Sequence, residues 1–246
     1  MIRLSVNVNK VATVRNSRGG SVPSVLEAVR VCVKAGAPGI TVHPRADARH
    51  ITAEDVYEIA QYLQTLDGRV EFNIEGDPRP DLQHMVHEVK PTQCTLVPVK
   101  PGEITSQAGW SPDTPREEMA AIVRGLQSDG VRVSIFVDPE EAPIRWAAGL
   151  GADRVELYTE PFGRAFERGE EAGRASFEVY ARAARLAASL GLGVNAGHDL
   201  DLENLVLFRN LPHLDEVSIG HALVSHALFV GLERSVRDYL QVLAVH

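Results

Sequence analysis

The chain has 246 residues, 44% of them hydrophobic and 24% charged, with a formal net charge of −8. That is enough apolar material for a barrel-sized core, and the acidic balance argues against a general binder of nucleic acid or anionic membrane while leaving room for a local basic pocket. The two cysteines, Cys32 and Cys94, sit in unrelated segments and suggest neither a disulfide framework nor a zinc site. No signal-like N-terminus and no run of about 18 apolar residues is present, so the expected location is the cytoplasm.

Taken in chain order, short runs rich in Val and Ile alternate with amphipathic ones. LSVNV (4–8) reads as a strand. SVLEAVRVCVKAGA spaces its apolar residues by three and four and stops at Gly36, as a helix does. Strands follow at GITVH (39–43) and VEFNI (70–74), with TAEDVYEIAQYLQTLDG between them as a helix capped by Thr52 and ended at Gly68. QCTLV (93–97) and VRVSIFV (131–137) flank the helix TPREEMAAIVRGLQSDG, and RVELY (154–158) comes next. After it the polar stretch 159–175 predicts an extra helix that covers the site or makes a subunit contact. GRASFEVYARAARLAASLGL then leads to LGVNA (192–196) and EVSIG (216–220). Such runs fit strands buried on both faces of a parallel sheet. Eight strand–helix units without a linker predict one α/β domain over residues 1–246, a (β/α)8 TIM barrel with extra helices, notably after strand six. An open sheet of seven or nine strands is the structural alternative.

In such barrels the loops at the C-terminal strand ends build the site. Those ends carry Asn7, Asn9, Lys10, Arg15 and Arg18; then His43, Arg45, Arg49 and His50; then Glu75; then Thr105 and Ser106 in a Pro/Gly-rich loop. Later ends carry Glu156, Tyr158 and Glu160; Asn195, His198 and Asp199; and Gly220 with His221. Arginine and histidine gathered at strand tips fit an anionic ligand, phosphate or carboxylate. The turns NAGHD and SIGHA each predict a helix start whose N–H groups favour an anion. His84 and His87 have metal-like spacing but lie on a helix away from the mouth. Four lysines, with Lys10 the one near a strand tip that matters, make an enzyme Schiff base a poor fit, and dinucleotide, P-loop and GxSxG motifs are missing. Histidine, glutamate and anion clamps remain, which is equipment for general acid–base work on a phosphorylated carbonyl compound. Another phosphosugar isomerase or lyase, or a non-catalytic sensor, stays open at this level.

The stretches NVNKVATVRNSRGG, GITVHPRADARHI, NIEG, TLVP, VNAGHDL and SIGHAL, in that order over nearly the whole chain, resemble the pyridoxine 5′-phosphate synthase family. The resemblance implies a homo-oligomer, an octamer, that needs no cofactor and no metal. It implies a transferase that condenses 3-amino-2-oxopropyl phosphate with 1-deoxy-D-xylulose 5-phosphate, two phosphorylated small molecules, with no nucleic-acid or membrane partner. His43 and Glu75 match the family's proton acceptors and His198 its proton donor. Asn7, Arg18, Gly220 and His221 match contacts to the amino-ketone phosphate. Arg45, His50 and Thr105 match contacts to deoxyxylulose phosphate, and Glu156 a further acid of the pocket. Many members read Asp-His where this chain has Asn9-Lys10, a pair that contacts deoxyxylulose phosphate. They read Gly where it has Asp199, and His-Thr-Gly where it has Tyr158-Thr159-Glu160. The variants resemble a sub-branch that carries all of these together. Asp199 is expected to face away from phosphate and cap the next helix. The segment 98–114 is the expected lid.

Overall fold

The computed structural model describes residues 1–99 and 106–244. Eight parallel strands, β1 (Arg3–Asn7), β2 (Gly39–Val42), β3 (Glu71–Gly76), β4 (Gln93–Leu96), β5 (Arg132–Val137), β6 (Arg154–Tyr158), β7 (Gly193–Gly197) and β8 (Leu214–Ile219), pair in sequence order. Pairing of β1 with β8, from Arg3 opposite Glu216 to Val6 opposite Ile219, closes the barrel and rules out an open sheet.

The outer ring consists of α2 (Val25–Lys34), α3 (Ala53–Gln64), α4 (Pro80–Val89), α5 (Arg116–Ser128), α6 (Glu141–Gly149), α8 (Glu170–Ser189), the short α9 (Leu205–Phe208) and α11 (Leu232–Ala244). Local chemistry sets their starts. Ser24 caps α2 by accepting the N–H of Glu27. Thr52 and Asp55 cap α3 reciprocally as a capping box. Three further helices lie at the mouth: α1 (Asn9–Asn16) after β1, α7 (Glu160–Glu167) after β6 and α10 (His221–Val230) after β8. The extra helix expected after strand six is thus α7.

The strands are buried on both faces, as expected, but only one of those faces is apolar. Each strand alternates, and one set of side chains, such as Leu4, Val6, Ile40, Val42, Ile74, Val133 and Ile135, joins the apolar layer shared with the helices. The other set is polar and meets inside the barrel. Ser5 and Thr41 hydroxyls are 2.6 Å apart, and Asn73 bonds both Thr41 and Thr95. Gln93 of β4 donates across to Glu216 of β8, and Asn195 of β7 donates to both. Arg154 and Arg132 extend the network toward the N-terminal end through Asn195, Gln93 and Glu71. A polar interior is tolerable because these groups satisfy one another. Cys32 and Cys94 are buried free thiols, and burial pushes each up to about 12.

The expected lid divides. Residues 100–105 lie outside the described residues, whereas Gly109 and Trp110 are tied to the ends of β4 and β5. Gly109 N–H donates to Asp138 (3.1 Å), Trp110 N–H to the carbonyl of Phe136 (2.9 Å), and the indole to that of Leu96 (2.9 Å). A Cβ on Gly109 would lie 2.4 Å from Cα of Val137. Gly109→Ala should therefore lower the unfolding free energy by about 1–3 kcal/mol through overpacking. Gly125→Ala, in mid-α5 with nothing within 4 Å of the added methyl, should raise it by roughly 0.5–1 kcal/mol. Urea denaturation of both variants checks the pair; equal stabilities would contradict it.

Candidate active site

The polar column opens, at the C-terminal end of the strands, into a cavity of about 750 Å³. Asn7, Asn9 and Lys10 line it from the β1 end, His43, Arg45 and His50 from β2, Glu75 from β3, and Ser106 and Gln107 from the segment after β4. Glu156, Tyr158, Glu160 and Arg164 come from β6 and α7, His198 and Asp199 from β7, and Ser218, Gly220 and His221 from β8. Residues far apart in sequence thus converge on one hollow.

His43 and Glu75 stand side by side on adjacent strands, with His43 Nδ1 4.0 Å from Glu75 Oε2, and both are buried. Burial pushes the Glu75 carboxyl up to about 8. Burial also holds His43 well below the usual imidazole range, reinforced by repulsion from His50 and Arg45. At neutral pH both are uncharged, so their contact is not an ion pair. Ser218 Oγ reaches across the barrel to Glu75 Oε1 at 3.4 Å. Glu156 is 2% exposed; burial, then the nearby Glu75 and Glu216, hold its carboxyl well above the carboxylate range. Its Oε1 occupies the space over Gly197, where a Cβ would lie 2.4 Å away.

His198 lies on the turn after β7 with φ of 80°, followed by Asp199 with φ of 55°. Phe136 and Tyr158 flank its ring at centroid distances of 4.9 and 5.4 Å. Burial pushes it down to about 4. Among the described residues, His43 Nε2, Glu156 Oε2 and His198 Nδ1 are buried without a hydrogen-bond partner, and all three belong to cavity residues.

Anion-holding groups flank these. The His50 ring accepts its neighbour Ile51's N–H at Nδ1 (2.9 Å), which leaves Nε2 to carry the proton. His50 is held down to about 4 by burial and by Arg45, so it is a neutral donor. Arg45, 7% exposed, stands beside it. On the β8 side, α10 begins at His221 with Gly220 at its cap and no acidic residue in its first turn, which leaves N–H groups facing the cavity. Gly220 is bare because Asn7 sits on it, 3.1 Å from where a Cβ would be. Asn7 Oδ1 accepts the N–H of Asn9, and Asn9 Oδ1 accepts the N–H of His43 (2.9 Å), so Asn9 fixes the β2 tip.

Several expectations are corrected. The β7 turn does not open a helix, since α9 starts only at Leu205; of the two glycine turns, that after β8 meets a helix N-terminus directly. Asp199 does not cap the next helix. It lines the cavity near Glu160 and His221, while Asp201 accepts the N–H groups of Glu203 and Asn204 in the turn before α9, whose N-cap Asn204 makes no side-chain cap bond. Arg15 is structural: its guanidinium pairs with Asp55 and donates to the His50 carbonyl, anchoring that loop. Arg49 pairs with Asp47 on an exposed turn. Asn195 is held deep in the polar column. Arg18 is exposed on the turn after α1 and does not line the cavity, and Thr105 lies outside the described residues. His84 and His87 face separate acids, Glu88 and Asp129. Ser218, Thr159 and Arg164 had not stood out. Ser218 is two residues before Gly220 on the same strand face, and Arg164 is one turn after Glu160, with which it pairs. Period alone could have found both.

The chain matches the model of the family described as pyridoxal phosphate biosynthesis protein PdxJ over residues 4–245. It is 49% identical over 255 aligned residues to pyridoxine 5′-phosphate synthase of Leptospira biflexa, covering 100% of this chain and 98% of the relative. It is 50% identical over 244 residues to that of Cytophaga hutchinsonii, covering 99% of each. Among solved structures it is similar in fold to phosphoribosyl anthranilate isomerase of Thermotoga maritima, with a TM-score of 0.63 at 13% identity, covering 99% of this chain and 98% of that one.

Because folding lifts Glu75 from an ordinary 4.5 to about 8, the folded state holds a proton that the unfolded chain releases within that window. Stability must then fall as pH rises through it. Above pH ~7 the unfolded histidines are already neutral, so they do not mask the effect. Urea titrations between pH ~7 and ~8.5 should show a decline that is shallower in Glu75→Gln; identical slopes would count against a protonated Glu75.

Proposed function

The chain belongs to the pyridoxine 5′-phosphate synthase family, and on that premise we propose the part each cavity residue takes in the reaction. The enzyme condenses 3-amino-2-oxopropyl phosphate with 1-deoxy-D-xylulose 5-phosphate to give pyridoxine 5′-phosphate, phosphate and water. The amine of one substrate attacks the ketone of the other. The Schiff base is therefore between substrates, and no enzyme lysine is needed. Proton removals then drive loss of water and of one phosphate before a single carbon–carbon bond, the second link between the substrates, closes the ring.

Two anion sites are required, because one phosphate stays and one leaves. The α10 N-terminus with Gly220, His221 and Asn7 holds the retained phosphate. Arg45 and His50, with Thr105 by resemblance, hold the departing one. His50 binds it through Nε2–H without needing a charge. Arg18 takes part only if the turn after α1 folds inward over the amino-ketone phosphate. Asn9 and Lys10 border the deoxyxylulose side. Lys10 also offsets Asp199, which would otherwise repel phosphate.

His43 and Glu75 accept protons from carbon and nitrogen of the joined substrates, and His198 returns one to the leaving oxygen. Entry of two phosphate dianions shifts His43, His50 and His198 upward, since nearby negative charge favours imidazolium. This brings His198 from its low value into the range where it both takes and gives a proton. Glu156, kept neutral by burial, donates a hydrogen bond from its unpartnered Oε2 to developing oxyanion charge. The observation that carries this reading is the convergence of His43, Glu156 and His198, each with a buried unpartnered atom, between two sets of anion-holding groups. We also read the chain as a cytoplasmic homo-oligomer, an octamer as in the family. The apolar end of α10 supports a subunit contact, with Leu228 76% and Phe229 89% exposed.

Given both substrates, purified protein should release inorganic phosphate and form a fluorescent pyridine product. His43→Ala, Glu75→Gln and His198→Ala should each lower kcat by about 10²-fold or more, as loss of acid–base help does. Wild-type rates in all three would refute the assignment. In the wild type, log kcat/KM should climb and bend over near pH ~8, the value set by Glu75, and that limb should vanish in Glu75→Gln.

A further inference from the structure

We propose that Thr159, together with the helix α7 that it precedes, is the positioning element that holds His198 in its proton-transfer orientation. The inference rests on the reading of His198 as the proton donor.

The need for such an element follows from the backbone. His198 and Asp199 are consecutive non-glycine residues in the left-handed region, with φ of 80° and 55°. Cβ makes that region unfavourable, so two in succession persist only where surrounding contacts over-determine them. A catalytic imidazole is ordinarily aimed by a hydrogen bond at its second nitrogen, yet His198 Nδ1 is buried without a partner among the described residues. Phe136 and Tyr158 wall the ring at 4.9 and 5.4 Å, which limits its tilt but not its position along the strand axis. Placement has to come from the main chain.

The main chain is held from β6 and α7. Thr159 is fully buried. Its N–H donates to the carbonyl of Gly197 at 3.0 Å, and its hydroxyl donates to the same carbonyl at 2.6 Å while also touching that of His198. Both carbonyls of the turn's first two residues are therefore gripped by one side chain. Gly163, one turn into α7, presses on the far side: a Cβ there would lie 3.0 Å from the carbonyl oxygen of Asp199. Asn204 Nδ2 closes the clamp on that same oxygen at 2.9 Å. The helix added after β6 thus acts as a bracket for the β7 turn, and its residues Glu160 and Arg164 reach the cavity as a consequence.

The test is steady-state kinetics on Thr159→Val, which keeps shape and backbone bond but removes the hydroxyl. Thr159→Ser restores the hydroxyl, and Gly163→Ala pushes the turn from the other side without weakening the helix. The expected result is a kcat lowered by roughly 10–100-fold in Thr159→Val and in Gly163→Ala, as small misplacements of catalytic groups cost. KM for both substrates should stay within about twofold, and Thr159→Ser should recover most of the rate. In a His198→Ala background, Thr159→Val should cost nothing more, since there is no ring left to aim. The pH limb contributed by His198 should move in Thr159→Val. Additive losses in the double variant, or a rise in KM alone, would overturn the bracket in favour of a merely structural role. Wild-type kcat in Thr159→Val beside an impaired His198→Ala would overturn it while sparing the donor assignment. An unimpaired His198→Ala would instead remove that assignment. Should Thr159→Val fail to fold, Gly163→Ala carries the same comparison.

Discussion

The structure depends on one constraint: the inside of the barrel is polar, and the polar groups there find most of their partners on other strands. Barrels of this kind usually fill their interior with layers of branched apolar side chains. Here apolar burial is left to the layer between strands and helices, and the interior is a ladder of hydroxyls, amides and carboxyls running from Arg154 and Glu216 up to Glu75. Bonds across the barrel, such as Gln93 to Glu216 and Ser218 to Glu75, fix which strands may face one another. Toward the mouth the ladder runs short of partners, and there the carboxyls of Glu75 and Glu156 stay protonated and the imidazoles neutral.

That shortage links the fold to the chemistry. Groups that water or a salt bridge would satisfy hold their ordinary charge and do little. Groups held dry and uncharged beside one another respond strongly to an arriving anion. The same cavity keeps its fixed positive charge in Arg45 and in the first turn of α10, where it needs no proton. Binding of charge and transfer of protons are thereby assigned to different atoms.

Much of this was legible in the sequence. The alternation of Val-rich runs with capped, glycine-ended helices gave the eight units, because Ser24, Thr52 and the C-terminal glycines act locally. The strand-end rule then put His43, Glu75 and His198 at one mouth. What was not legible depended on packing. Ser, Thr and Asn within short strands look like interruptions until closure of the barrel sets them against one another. Arg15 looks like a strand-end cation, and only the position of α1 against α3 shows it committed to Asp55. Asp199 looks like a cap because acidic residues often are, but it lies in the left-handed turn itself, and Asp201 holds the N–H groups of the turn that follows. The reach of α7 back onto β7 has no local signal, since it joins Thr159 to a turn nearly forty residues on.

Gly197 carries one last consequence. Its missing side chain is the room that the Glu156 carboxyl occupies, so the two positions form a single steric unit shared by neighbouring strands. A lineage that keeps a glutamate on β6 is bound to a bare position on β7, and one that gains a methyl on β7 has to shorten the acid first. Chimeras that splice the last two strand–helix units from a distant barrel should respect that unit or lose the acid's place in the mouth.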